Sequence, residues 1–147
     1  MSYQHILVPV DGSQISFSAV KQAAELAHSL NSQLSLVSLV AEDPFTNADF
    51  YYSSAIMKEY FVQAYANAET ALKEATEIAT AAGITANSQI IKGQVSAEGV
   101  VDAAAGLKAD LIVMGSHGRK GFQKMLLGSF AQDVLANTVL PVLVVKA

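Results

Sequence analysis

The chain has 147 residues, the length of a single domain, with a formal net charge of −4 at pH 7, a hydrophobic fraction of 52% and no cysteine. The lack of cysteine excludes a disulfide scaffold and a thiolate metal site, and the acidic balance argues against a nucleic-acid-binding domain, which usually presents a basic face. No apolar run is long enough for a membrane span or a secretory signal, so we expect one domain over residues 1–147, located in the cytoplasm.

The hydrophobic pattern alternates between strand-like and helix-like segments along the chain. Residues 3–10 carry an apolar run bounded by Asp11-Gly12-Ser13, which predicts a buried strand that ends in a turn. A helix with an apolar face follows, with Ser13 or Ser16 as its N-cap and Asn31 as its stop signal. The further predicted elements are a strand at 34–40, a long helix with an apolar stripe from Ile56 to Ala82 and Gly83 at its end, a strand at 88–92, a helix capped by Ser96, a strand at 111–114, a helix at 129–137 and a strand at 141–145.

This order of elements, βαβαβαβαβ, predicts an α/β fold: a single doubly wound, five-stranded, mainly parallel sheet with helices on both faces. In the strand order 3-2-1-4-5 the winding direction reverses between strands one and four, and ligands bind in the crevice at such a switch point. The loops that begin at Asp11 and Gly115 would flank this crevice. Because Pro9 lies within strand one and cannot donate to a ladder, we expect the pairing of that strand to end near Val8.

A glycine-punctuated loop follows the fourth strand. It reads Gly115-Ser116-His117-Gly118, then nine residues, then Gly128-Ser129 at the start of the last helix. Glycines let backbone N–H groups approach an anion closely, a helix N-terminus adds free donors, and Arg119 and Lys120 add positive charge. The loop matches neither the P-loop nor the dinucleotide fingerprint. The pattern indicates an anion-binding loop; alternatively, Gly118, Gly121 and Gly128 only permit turns and close helix packing.

These features resemble the universal stress proteins of the UspA superfamily over nearly the whole chain. The segment Ile6-Leu7-Val8-Pro9-Val10-Asp11-Gly12-Ser13 resembles the first strand and turn of that family, and Pro141-Val142-Leu143-Val144-Val145 resembles its last strand. The segment from Gly115 to Ser129 fits the G-x2-G-x9-G-[ST] pattern that marks the ATP-binding branch. The resemblance implies a stress-response or signalling module that binds ATP, ADP or AMP with Mg²⁺ or Mn²⁺.

The resemblance also implies roles for individual positions. Asp11 would contact the ribose or the phosphate-bound metal ion, and Val40 would hold adenine through its backbone. The final strand, Val142–Val145, would pair with its copy in a homodimer, which would also cover an exposed sheet edge. The residues that the resemblance implies for the nucleotide site are Pro9, Val10, Asp11, Val40, Met114, Gly115, Ser116, His117, Gly118, Arg119, Lys120, Gly121, Gly128, Ser129, Phe130 and Ala131.

Several of these residues have other interpretations. Asp11 can serve only as a turn or helix cap, and His117 has no evident partner carboxylate, which favours anion contact over catalysis. Phe130 replaces the small aliphatic residue expected after Ser129. The aromatic residues at 50–52, 60, 61 and 65 are interpreted as core or interface packing rather than as a base-stacking platform. For the whole chain, the alternative functions are a slow ATPase or nucleotidyl-transfer enzyme and a nucleotide-free interaction module.

Overall fold

The computed structural model describes residues 3–42, 54–117 and 127–146. Within these ranges strands and helices alternate as the hydrophobic pattern predicts. The elements are β1 (His5–Pro9), α1 (Gln14–Leu30), β2 (Gln33–Ala41), α2 (Ser54–Ala81), β3 (Asn87–Gly93), α3 (Ala97–Leu107), β4 (Leu111–Gly115), α4 (Ser129–Asn137) and β5 (Val142–Val145). The predicted bounds of α4 are confirmed at both ends, and those of the strands agree to within two residues.

The five strands form one sheet in the order β3-β2-β1-β4-β5, and every adjacent pair is parallel. This confirms the predicted fold class and strand order. Successive side chains of a strand point to opposite faces, so the central strand supplies two cores. Ile6 and Val8 pack with residues of α1 and α2, whereas Leu7 packs with Val100 of α3 and Val134 of α4. A central parallel strand is therefore apolar at consecutive positions, because both of its faces are covered by helices.

Serine side chains cap two of the helices. Ser13 accepts a hydrogen bond from the Ser16 N–H (3.2 Å) at the start of α1, and Ser96 accepts one from the Gly99 N–H (3.3 Å) at the start of α3. Of the two predicted caps for α1, Ser13 is therefore the correct one. The helix ends at Asn31, which adopts the left-handed conformation with a φ of 57° and so confirms the predicted stop signal.

Pro9 lies inside β1, and the prediction that pairing ends before it is right on only one side of the strand. Pairing with β4 stops at Leu7, which lies opposite Ile112. Pairing with β2 continues to Pro9, and the Val10 N–H donates to the C=O of Val37 (2.7 Å). Because main-chain groups alternate in direction and the Val10 N–H points to β2, the ring nitrogen of Pro9 faces β4. Proline is tolerated there because β4 has already separated from β1.

Helix α2 is buried only along its C-terminal half, at Ala68, Ala71, Leu72, Ala75 and Ala79. Toward its N-terminus the predicted apolar stripe is exposed, with Ile56 81% and Tyr60 62% accessible. A helix of 28 residues spans about 42 Å, about 12 Å more than the nine-residue strand β2, so only its N-terminal turns extend past the carboxyl edge. Tyr60 was predicted to pack in the core or at an interface; it does not pack in the core, and residues 50–52 lie outside the described residues. None of the helices described is long and apolar enough to cross a membrane.

Candidate functional site

Two neighbouring strands part at the carboxyl edge of the sheet. β1 and β4 pair only as far as Leu7 and Ile112, after which β1 continues along β2 and β4 along β5. The pairing of β4 with β5 ends at Gly115, which lies opposite Val145. The Ser116 N–H then donates to the Val145 C=O (2.8 Å). The winding direction reverses between these strands, which makes their carboxyl ends the topological switch point. A cavity of about 520 Å³ opens there, a volume in the range of small-molecule sites.

The cavity collects most of the residues expected at the site. Those that line it are Pro9, Val10, Asp11, Val40, Met114, Gly115, His117, Phe130 and Ala131. Ser116, Gly128 and Ser129 lie behind this lining or beside it, and Gly118, Arg119, Lys120 and Gly121 lie outside the described residues. The structure therefore brings Asp11 and both flanks of the glycine-punctuated loop to one cavity, as the predicted strand order requires.

Helix α4 begins at the wall of this cavity without a side-chain cap. Its N-cap is Gly128, and helical bonding starts with the Gln132 N–H, which donates to the Gly128 C=O (3.0 Å). The N–H groups of Ser129, Phe130 and Ala131 belong to the first turn, and they have no acceptor among the described residues. Phe130 and Ala131 themselves line the cavity. These donors and the positive end of the helix dipole form a position suited to an anion.

Not every amide of the glycine-punctuated segment is directed to the cavity. The Ser116 N–H is bonded to β5, and the Gly128 N–H donates to the Ser116 C=O (2.6 Å). A Cβ on Gly128 would lie 3.0 Å from the Cβ of His117 and 3.1 Å from the Ser116 oxygen. A Cβ on Gly115 would lie 3.0 Å from Ile15 of α1. Both glycines therefore permit close packing, as the alternative interpretation states for Gly128, and this packing determines where α4 begins.

Asp11 is both a turn residue and part of the cavity wall. Its Oδ1 accepts hydrogen bonds from the Ser13 N–H (2.9 Å) and the Ser13 hydroxyl (2.5 Å), while Oδ2 has no partner in the described part of the chain. No group of three or more His, Asp or Glu side chains that could hold a metal ion is found among the described residues. One carboxylate nevertheless fits Mg²⁺ or Mn²⁺ that arrives with a nucleotide, because Mg²⁺ is usually held by one or two carboxylates and the substrate phosphates.

His117 is held at the cavity wall by its neighbour in the chain. The hydroxyl of Ser116 lies 2.9 Å from His117 Nδ1, and Ser116 is only 2% accessible. Because Nδ1 is engaged, Nε2 is the ring nitrogen left to contact a ligand. The group that orients the ring is a hydroxyl and not a carboxylate, so the arrangement favours contact with an anion over general-base catalysis.

The direction of the main-chain groups of β2 contradicts the role expected for Val40. The Val37 C=O accepts from Val10, so the polar groups of Val37 face β1, and those of Leu39, two residues later, face the same way. By the same alternation, Val40 directs its N–H and C=O to β3, where it lies opposite Lys92. The backbone of Val40 is therefore directed away from the crevice, contrary to expectation. Leu39 presents its main chain beyond the end of β1, while Val40 lines the cavity without offering its backbone.

Helix α2 supplies a wall of the cavity that the sequence interpretation missed. Tyr60, Gln63 and Asn67 line the cavity from one face of this helix, at positions i, i+3 and i+7. The Gln63 Nε2 donates a hydrogen bond to the Asn67 Oδ1 (2.9 Å). The only indication of this wall in the sequence was the pair of amide side chains, Gln63 and Asn67, beside the predicted apolar stripe of the helix. The pattern by itself does not reveal where the stripe leaves the core, so it could not place these residues at the site.

The fold and the crevice define a doubly wound α/β domain with a ligand site at the switch point of its sheet. The family model described as the universal stress protein family matches residues 2–146. The chain belongs to that family.

Relatives of known sequence or structure agree with this assignment. Universal stress protein MJ0531 of Methanocaldococcus jannaschii is 34% identical over 98% of this chain and 82% of its own length. The structure of UspA from Lactobacillus plantarum has a TM-score of 0.84 at 22% identity over 99% of both chains, a likeness of fold. A universal stress protein solved in complex with cAMP has a TM-score of 0.69 at 28% identity, over 99% of this chain and 98% of that one.

Proposed function

We propose that the protein binds ATP in the crevice and acts in the cytoplasm as a nucleotide-dependent module of the stress response. The observation that carries the proposal is the N-terminus of α4, which has no side-chain cap and opens onto the same cavity as Asp11 and His117. Helices α1 and α3 each receive a serine cap. The contrast supports a ligand at α4, because its first-turn donors need an acceptor and an anion supplies one.

The two sides of the cavity differ in charge, and this difference would orient the nucleotide. On the α4 side, the helix N-terminus favours phosphate groups, and His117 Nε2 donates to a phosphate in the tautomer in which the Ser116 hydroxyl donates to Nδ1. On the α2 side, the lining residues are Tyr60, Gln63, Ala64, Asn67, Ala68 and Ala71, none of which is charged. A largely apolar wall with a few amides suits a base better than a triphosphate. We therefore place the phosphates beside α4 and the adenine between β2 and α2.

The adenine would reach the main chain of Leu39 instead of that of Val40. The last main-chain bond between the β1 segment and β2 in the described residues is the one from Val10 to Val37. The N–H and C=O of Leu39 lie beyond it and face the crevice side. One donor and one acceptor on the same residue complement the N1 acceptor and the 6-amino donor of adenine.

Asp11 would hold the divalent ion that accompanies the triphosphate. Its Oδ1 is engaged by Ser13, and Oδ2 has no partner among the described residues and so would be the oxygen that contacts the ion. Mg²⁺ or Mn²⁺ bound there would neutralise part of the phosphate charge. The relative of 28% identity in complex with cAMP supports the ligand class, because cAMP and ATP share adenine, ribose and a phosphate on the ribose.

Calorimetric titration with ATP and Mg²⁺ tests the proposal. We expect ATP to bind the wild type and to bind Asp11→Ala at least about tenfold more weakly, a loss of about 1.4 kcal/mol. Asp102→Ala is the matched control, since Asp102 is an exposed carboxylate of α3 outside the cavity, and it should bind ATP as the wild type does. Native mass spectrometry of freshly purified protein should show the added mass of a nucleotide.

Two results would favour the alternative functions. A wild-type protein that binds no nucleotide would contradict the proposal and favour a nucleotide-free interaction module. Steady release of phosphate or AMP that is abolished by Asp11→Ala would instead favour an enzyme.

We also propose a homodimer formed through β5. Within the described sheet this strand pairs with β4 on one side only. The Val145 C=O accepts from the Ser116 N–H, which follows β4, so the neighbouring Val144 directs its N–H and C=O to the open side. Antiparallel pairing with a second copy would satisfy these groups and close the assembly under two-fold symmetry.

Sedimentation velocity tests the dimer. We expect the wild type to sediment as a dimer and Val144→Pro to shift toward the monomer, because proline removes the outward N–H while an edge strand tolerates the ring. A dimer of unchanged stability in that variant would exclude β5 as the interface.

A further inference from the structure

We propose that an amide pair on α2, Gln63 and Asn67, selects adenine over guanine at the base end of the cavity. This inference rests on the proposed function, because it names the groups that would distinguish nucleotides at the same site. Both side chains line the cavity, one helical turn apart on the same face of α2. Both residues are exposed to solvent, so the packing of the core does not require their amides.

The hydrogen bond between the two amides determines what they present to a ligand. Gln63 Nε2 donates to Asn67 Oδ1 (2.9 Å), which leaves Gln63 Oε1 as an acceptor and Asn67 Nδ2 as a donor. Turning both amides over keeps their mutual bond and exchanges the donor with the acceptor. Turning only one sets two acceptors or two donors face to face and breaks the bond. The bonded pair therefore presents one donor and one acceptor in either arrangement.

One donor and one acceptor side by side match adenine and not guanine. Adenine carries a donor at N6 and an acceptor at N7, the same pair of atoms that Asn and Gln recognise in DNA. Guanine carries two acceptors, O6 and N7, so one of them would face an acceptor of the pair. Because the N1 side of adenine would face Leu39, the N6 and N7 side is the one left for α2. The base would then be held at two adjoining edges.

The position of the pair on α2 supports this role. None of residues 56–67 of the helix is fully buried, and Ala64 and Ala68 beside the pair are small enough to leave room for a base. Tyr60, one turn before Gln63, lines the same wall with 62% of its surface accessible, so its ring is available to cover the base. A regular helix also holds side chains more rigidly than a loop, which sharpens discrimination.

Parallel titrations with ATP and GTP test the inference. We expect the wild type to bind ATP about tenfold or more tightly than GTP, in line with the discrimination of one good amide pair. In Gln63→Leu/Asn67→Leu the ratio should fall at least about threefold through loss of ATP affinity, while the Leu39 main chain, which matches N1 and the 6-amino group of adenine but not N1–H and O6 of guanine, keeps part of the preference. Thr70→Ala is the control, because Thr70 is an exposed polar residue of α2 outside the cavity whose hydroxyl bonds only its own helix, at Ala66 C=O (3.1 Å); it should keep the wild-type ratio.

An ATP analogue that lacks N7 provides a second test. If the amide pair had only a structural role, the wild type would bind this analogue as tightly as ATP. In 7-deaza-ATP a carbon replaces N7, so this ligand should bind the wild type several-fold more weakly than ATP, whereas Gln63→Leu/Asn67→Leu should bind the two ligands equally well. A wild type that does not distinguish ATP from GTP, or a ratio unchanged in the double variant, would overturn this inference and leave the proposed function intact. A wild type that binds neither nucleotide would overturn both.

Discussion

The two edges of the sheet use the same kinds of polar group in opposite ways. At the amino edge, the carboxylate of Asp110 accepts the N–H groups of Gln4 and His5, both at 2.9 Å. The Asp110 N–H in turn donates to the His5 C=O (2.9 Å), and the Ser32 hydroxyl donates to the Tyr3 C=O. Among the residues that the structure describes, the protein thus satisfies its own polar groups at this edge.

At the carboxyl edge the corresponding groups are left for a ligand. Asp11 follows β1 and engages only one carboxylate oxygen within the described chain, and the first turn of α4 receives no side-chain cap. Polar groups that the protein satisfies internally indicate a role in stability, whereas unsatisfied polar groups beside a cavity indicate a binding site. Substitutions at the amino edge should therefore change the free energy of unfolding, and those at the carboxyl edge should change nucleotide affinity.

The largest expected effect is that of Gly128→Val at the carboxyl edge. A Cβ at this position would lie 3.1 Å from the Ser116 oxygen and 3.2 Å from the His117 Cα, so a branched side chain would press on this main chain and displace the first turn of α4. We expect ATP affinity, measured by calorimetry, to fall more than about tenfold. The control is Gly106→Ala in α3, where a Cβ meets nothing within 4 Å; this change should leave affinity unaltered and raise the free energy of unfolding by up to about 1 kcal/mol. A folded Gly128→Val protein with wild-type affinity would contradict the assignment of the carboxyl edge.

A smaller effect, on stability alone, is expected from Asp110→Ala at the amino edge. Desolvation raises the pKa of Asp110, but the N–H groups of Gln4 and His5 favour the charged form more strongly, so the pKa lies below the usual 3.8. The ionised side chain therefore stabilises the fold above about pH 4, and this contribution is lost as the pH falls through the lowered pKa. We expect the variant to lose about 1–2 kcal/mol at pH 7 and the difference from wild type to shrink as the pH falls below about 4.

Urea unfolding over this pH range, with ATP titration at pH 7, measures both properties of Asp110→Ala. The exposed carboxylate control Asp102→Ala should stay within about 0.5 kcal/mol of wild type. A stability difference that does not vary with pH, or a large loss of ATP affinity in Asp110→Ala, would remove the contrast between the two edges.

The smallest expected effect compares two serine caps. Ser13→Ala and Ser96→Ala should each lower the free energy of unfolding by about 1 kcal/mol, since each removes the N-cap of one helix. Ser13 also holds Asp11 Oδ1 through its N–H and hydroxyl, so only Ser13→Ala should weaken ATP binding as well, by a few-fold. Thermal melts and titrations of the two proteins separate these effects. If both variants bind ATP equally well, the position of Asp11 does not depend on its serine partner.

Local sequence patterns were sufficient to predict the strands and helices of the fold. Parallel strands need apolar residues on both faces, and helices need an apolar face and a cap, so continuous runs and serine or glycine signals identified each element. Pro9 shows the limit of such patterns, because a single strand can end its pairing with one neighbour and continue it with the other. No local sequence pattern indicates which strand lies on each side of β1.

Residues of the candidate site that follow the ends of strands could be predicted from the sequence. Residues on the face of α2 that forms a wall of the cavity could not. Asp11, Gly115 and His117 meet at one cavity because parallel strands bring their carboxyl ends to the same edge. Tyr60, with the amides of α2, was missed because the exposed and buried halves of that helix have the same periodicity.

The amino-acid sequence by itself determined the order of strands and helices, the caps and the loop beside the switch point, because each depends on neighbouring residues and on the handedness of crossovers. Only the tertiary structure decided that Leu39 and not Val40 turns its main chain to the crevice, that Gly128 allows β4 and α4 to meet, and that α2 completes the wall. These features depend on register and on the relative lengths of packed elements, which are properties of the assembled sheet and not of any one segment.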